Sequence, residues 1–136
     1  MEIKTKIDNI TLKEPEDMKF LNEICEEIKE KNIQNEIIID LLKIIEKNPN
    51  YNFGNPGNLV RIIEKYTLKD YEEKIIQSIE RVPTEYNLWL LNRQLNSYET
   101  LEERKNGINL FKRILKETEE TKIKEILKNF LSDYEI

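Results

Sequence analysis

The chain contains no histidine and only one cysteine, Cys25. The first absence removes the commonest metal ligand and the usual proton shuttle near neutral pH. The second excludes an internal disulfide. Only three glycines and four prolines occur among 136 residues, so tight β-turns are scarce, which argues against an all-β fold. No apolar run approaches the ~20 residues of a membrane-spanning helix. The start, Met1-Glu2-Ile3-Lys4, carries no apolar signal region. The expectation is a cytoplasmic location with no membrane partner.

What is present is apolar and charged in nearly equal measure, 38% and 36%. That balance suits thin, well-solvated helices and is low in apolar residues for a buried parallel sheet. The length fits one domain, 1–136, with one core. The net charge of −5 and a pI near 5.0 disfavour nucleic acid as a partner and favour a basic protein surface.

Apolar residues recur at helical spacing along most of the chain. Residues 1–12 show no clear period and are expected to form an extended lead-in or a frayed arm. Pro15 opens a helix to Lys31, with Met18, Leu21, Ile24, Cys25 and Ile28 inward. Cys25 therefore reads as a buried, inert thiol. Asn32 is expected to cap a second helix through Ile33, Ile37, Ile38, Leu41, Leu42 and Ile45, stopped at Asn48-Pro49. The run Asn48-Pro49-Asn50-Tyr51-Asn52-Phe53-Gly54-Asn55-Pro56-Gly57 is unlike the rest of the chain and reads as a loop. Gly54 and Gly57 are candidates for positive φ, Asn55 caps, and Pro56 opens a short helix through Leu59 and Tyr66. Tyr51, Phe53 and, further on, Trp89 are expected to be buried.

Thr67 reads as the cap of a fourth helix, with Asp70 in the capping-box position and Tyr66 and Tyr71 as its staple. Pro83-Thr84 starts a fifth, with Thr84 paired to Asn87. Leu88, Trp89, Leu91 and Leu95 spread around that helix, so it packs on two sides. A sixth runs to about Glu117 across Gly107, which marks a kink or a close backbone contact at a cost of about 1 kcal/mol. Thr118 begins the last. Asn58-Leu59-Val60 and Asn87-Leu88-Trp89 hint at a repeated two-helix unit. The fold is expected to be all-α, with about seven helices in antiparallel pairs, as a short HEAT-like α-solenoid or an irregular helical bundle.

The chemistry-bearing inventory is thin. The carboxylate pairs Glu26-Glu27, Glu72-Glu73, Glu102-Glu103 and Glu119-Glu120 lie on solvated faces beside lysine or arginine, and a catalytic pair needs one desolvated member. No paired-helix metal set exists without histidine. Phe53-Gly54-Asn55-Pro56-Gly57 lacks the Lys-Ser/Thr ending of a phosphate loop. The helix-start threonines have no base to activate them. The arginines are dispersed, unlike those of a helix-turn-helix DNA reader. Arg81 and Arg93, flanking Pro83-Thr84, read as structural clamps. No catalytic, cofactor-binding or metal-binding residue is assigned, and the chain is not expected to be an enzyme.

The pattern Phe53-Gly54-Asn55-Pro56-Gly57, Val60, Glu64-Lys65, Arg81-Val82-Pro83-Thr84 and Leu88-Trp89-Leu90-Leu91-Asn92-Arg93 with Leu95-Asn96 resembles small all-helical immunity proteins of bacterial contact-dependent inhibition and polymorphic toxin systems. The resemblance covers the middle third of the chain. It implies a cytosolic antidote that binds and blocks a cognate toxin domain, without catalysis or cofactor. A basic nuclease toxin would suit an acidic surface. The competing reading is a helical-repeat scaffold for another cytosolic protein or peptide. In a solenoid the second helices of each pair line the concave side, which selects Glu72, Glu73, Glu80, Glu102 and Glu103 as partner-facing candidates.

Overall fold

The computed structural model describes residues 2–134. Among them the fold is all-α, with no strand. The elements are α1 (Ile3–Asn9), a 3₁₀ turn (Pro15–Asp17), α2 (Met18–Lys31), α3 (Ile38–Lys47), α4 (Asn58–Glu64), α5 (Tyr71–Arg81), α6 (Glu85–Asn96), α7 (Leu101–Glu117) and α8 (Thr121–Ser132). One core runs through all the α-helices, from Ile7 to Leu131. Helix α6 is its axis, touching α3, α4, α5, α7 and α8. A solenoid unit contacts only its sequence neighbours. A central helix with five partners makes this an irregular bundle, the second of the two expected architectures.

The eighth helix is the segment read as a lead-in. Ile3, Ile7 and Ile10 are spaced four and three apart, and α1 uses that stripe to pack on α2 and α3. Ile7 and Leu12 are buried. Lys6 Nζ ties α1 to Glu27 of α2 at 2.7 Å.

Two expected caps act differently. Asn32 does not start α3; it ends α2 in the left-handed conformation (φ 53°), which asparagine tolerates because its short side chain bonds locally. Turns follow, and α3 begins only at Ile38. Thr67 does not cap α5. Its Oγ1 accepts from Asn35 Nδ2 at 2.9 Å and its N–H donates to Asn35 Oδ1 at 3.1 Å, so it staples two loops together. Asp70 holds the N-cap position without a side-chain cap bond and accepts instead from the Tyr66 hydroxyl. Tyr66 and Tyr71 do meet across the helix start, ring centroids 5.9 Å apart.

The distinctive loop, residues 48–57, is anchored by Phe53. Its ring is 1% exposed and stands edge-on to both Tyr51 (5.2 Å) and Tyr86 (5.1 Å). Its N–H donates to Tyr86 Oη at 2.9 Å. Gly54 and Gly57 both have positive φ, and a Cβ on Gly57 would lie 1.8 Å from the Phe53 carbonyl oxygen. Pro56 does not open α4. It follows a cis Asn55–Pro56 bond in the turn, and Gly57 precedes the first helical residue, Asn58.

The α5–α6 corner is a closed polar network. Thr84 and Asn87 form the expected capping box, 2.8 and 3.1 Å. Asn87 Nδ2 also donates to the Val82 carbonyl (2.8 Å) and Ser78 Oγ (3.1 Å). Ser78 donates to Glu46 Oε2 of α3 at 2.7 Å, and Arg81 grips both oxygens of Glu46 at 2.8 and 2.9 Å. Thus every buried polar side chain here has a partner, which is what keeps such a cluster from destabilising the core.

Gly107 is the close contact that its mid-helix position suggested. A Cβ there would meet Leu95 of α6 at 2.6 Å. The start of α7 carries a capping box between Thr100 and Glu103, with Glu103 N–H on Thr100 Oγ1 at 3.2 Å. Thr118 closes α7 instead of opening α8, which starts at Thr121.

Candidate functional site

The five candidate acids do not form one patch. Glu72 and Glu80 lie eight residues apart on α5, about 12 Å along the axis. Glu73 is exposed and accepts only from Gln77 on its own helix, 3.4 Å. Glu80 is exposed beside Arg113 and Glu117 of α7, around a shallow depression that Pro83 and Thr118 help to line. Glu102 is exposed in the first turn of α7. Glu103 is partly committed to structure, because its Oε1 accepts from Thr100 N–H (3.2 Å) and Oγ1 (3.0 Å). Among the described residues none of the five is in an ion pair.

Glu72 differs from the others. Burial pushes its carboxyl up from the ordinary glutamate value, with the neighbouring Tyr98 hydroxyl pulling the other way. Its Oε1 is shielded from water without a hydrogen-bond partner. The Tyr98 phenol is raised in turn, first by burial and then by the charges of Glu72 and Glu103. The α6–α7 corner therefore gathers Glu72 and Glu103 around Tyr98, while Glu80 stands at the far end of α5.

Arg81 and Arg93 are clamps, as their positions beside Pro83-Thr84 suggested. Arg81 joins α5 to α3, and Arg93 Nε donates to Glu64 Oε2 of α4 at 2.8 Å. Arg104, unassigned in the sequence, does the same for the α6–α7 turn through the carbonyls of Leu95 (2.9 Å) and Tyr98 (2.6 Å). Each of these three guanidinium groups is engaged by acceptors of the fold, that of Arg93 at a largely exposed position.

Trp89 is not in the core. It is half-buried on the flank of α6, with the Arg93 guanidinium stacked 5.0 Å from its ring centre. Leu88, Leu90 and Leu91, fully buried on either side of it in sequence, take the inward positions instead. Tyr51 is likewise half-buried, its hydroxyl donating to the Glu14 carbonyl at 3.0 Å.

Trp89 lines a cleft between the 48–57 loop, α6 and α8. Its walls are Gly54, Asn55, Pro56, Glu85, Tyr86, Ile126, Asn129 and Phe130, and its volume is about 210 Å³. The two runs that stand out in the sequence thus meet here, joined by the Phe53–Tyr86 contact. Sequence reasoning assigned both to structure and missed the opening between them. The signal was the third side, Ile126 and Phe130 on α8, whose distance in sequence hides it.

No helix among the described residues is long and apolar enough to cross a membrane, and no group of three or more His, Cys, Asp or Glu residues is placed to hold a metal. Cys25 is fully buried, and burial raises its thiol to about 11, so it presents no reactive thiolate. No protein-family model, curated protein or solved structure matches this chain.

Proposed function

We propose that this chain is an immunity protein, binding a cognate bacterial toxin domain and neutralising it by occupying its surface. The observation that carries the reading is the division of charge. Arg81, Arg93 and Arg104 are engaged by carboxylates and carbonyls of the fold, while among the described residues Glu73, Glu80 and Glu102 are exposed and outside any ion pair. With a net charge of −5, the exterior is an anionic field on a well-packed frame. Such a field steers a basic partner and raises its association rate, most strongly at low salt. The resemblance of residues 49–96 to all-helical immunity proteins supports the same partner class, and a nuclease with a phosphate-attracting surface has the required charge.

The test starts at the gene: a neighbouring reading frame that encodes a toxin domain is expected, and is co-expressed with this chain and purified at low salt. A stoichiometric complex whose association slows steeply as salt rises supports the proposal. Absence of a complex at low salt refutes it. Reversing Glu73, Glu80 and Glu102 together should lower the association rate by about tenfold, in the range electrostatic steering supplies.

A further inference from the structure

Resting on that reading, we infer that the Trp89 cleft is where the toxin docks, and that the group it takes is an arginine side chain. The cleft volume, about 210 Å³, is below the roughly 300–1,000 Å³ typical of small-molecule sites and suits one inserted side chain. Three aromatic residues, Tyr86, Trp89 and Phe130, line it beside the aliphatic Pro56 and Ile126, and among the described residues Glu85 is the lining carboxylate. Aromatic rings with one acid at the wall suit a cation that is also flat. Guanidinium meets both conditions: it stacks on rings and presents a fork of donors to a carboxylate, whereas an ammonium is a compact, strongly hydrated point charge.

The structure leaves room for this. Arg93 covers part of Trp89 but does not line the cleft, so the opening meets the indole elsewhere. Glu85 is held by Lys122 at 3.0 Å, but both side chains are about half exposed, 46% and 65%. An exposed pair of that kind contributes about 1 kcal/mol or less and yields to a better-placed partner. Asn129 also lines the cleft, and a side-chain amide can supply a further acceptor. The overall acidic charge favours approach of a basic side chain to this face as to any other, and the aromatic lining then distinguishes arginine from lysine.

Trp89 is the only tryptophan, so its fluorescence reports directly on the cleft. The full chain is titrated with the tripeptide acetyl-Gly-Arg-Gly-amide and with its lysine and citrulline counterparts. Arginine should give a saturable change, with citrulline about tenfold weaker through loss of the charge and lysine in between. Glu85→Gln should weaken arginine binding about threefold, and Lys122→Ala should strengthen it about twofold by freeing Glu85. Phe130→Ala, if its circular dichroism matches the parent, should weaken binding several-fold. Equal response to arginine and citrulline, or no response to arginine in either fluorescence or amide NMR shifts, overturns the inference. So does a toxin complex of unchanged affinity with Glu85→Gln and Phe130→Ala together, and that result leaves the immunity reading standing.

Discussion

Replacing Arg81 with methionine isolates the strongest electrostatic joint in the fold. Methionine keeps most of the aliphatic stem and removes the guanidinium. Glu46, whose side chain is 7% exposed, is then left with Ser78 as its only hydrogen-bond donor. Breaking a buried pair by removing one partner costs about 3–5 kcal/mol because a desolvated charge remains. Arg81 itself is 36% exposed, so water and salt screen part of the interaction, and about 2 kcal/mol is the expected loss. At roughly 3 °C per kcal/mol for a chain of this size, the melting temperature should fall by about 6 °C. Urea and thermal unfolding followed by circular dichroism at pH 7 measure both. Glu46→Gln in the Arg81→Met background should restore part of the loss, because an amide is far cheaper than a carboxylate to leave buried, giving a coupling of about 1–2 kcal/mol. A single-variant loss under about 0.5 kcal/mol, or purely additive losses, would refute the claim that this pair locks α3 to α5.

Gly57→Ala forces a positive φ on a side chain and drives its Cβ into the Phe53 carbonyl; it should cost more than about 2 kcal/mol in urea unfolding. Phe53→Ala removes a buried ring packed edge-on against two tyrosines and should cost about 3–5 kcal/mol in the same assay. Glu72 has a folded-state pKa above its unfolded value, so the native state binds the extra proton and stability falls as pH rises through that folded value. Glu72→Gln should therefore be more stable than the parent at pH 7, with the difference closing once pH drops below the ordinary glutamate value of 4.5. Cys25 should react with a thiol-specific reagent at pH 8 only at the rate of global opening, and a fast reaction in the absence of denaturant would contradict its burial.

Local grammar was legible wherever a residue's role is decided by its near neighbours. The apolar stripes of α2, α3 and α5 have helical spacing over about three turns or more, and Pro49 stops α3 whatever surrounds it. Thr84 and Asn87 cap α6 because the box is closed within four residues. Roles set by distant partners were hidden. Thr67 has the look of a cap, but Asn35, thirty-two residues away, takes both of its groups. Asn32 has the side chain of an N-cap and the backbone tolerance of a C-cap, and the turn after it selects the second. Helix α1 carries only two turns of stripe, too short to stand without the α2 and α3 surfaces it covers. Among the candidate acids, exposure of Glu73, Glu80 and Glu102 followed from their helix faces. The burial that sets Glu72 apart comes with a contact to the Tyr98 hydroxyl, in a loop twenty-six positions on. Trp89 was misplaced for the same reason: part of its surroundings comes from the 48–57 loop and from Ile126 and Phe130 on α8.

The hub position of α6 restricts how this architecture can diversify. A modular array lengthens by inserting another unit between two existing ones, and each addition enlarges the ligand surface. A bundle whose middle helix meets five others has no seam at which such a unit fits, so its size is effectively closed. New binding preferences must then arise by exchanging exposed side chains, those of α6 that line the Trp89 cleft included, with the buried faces held constant beneath them.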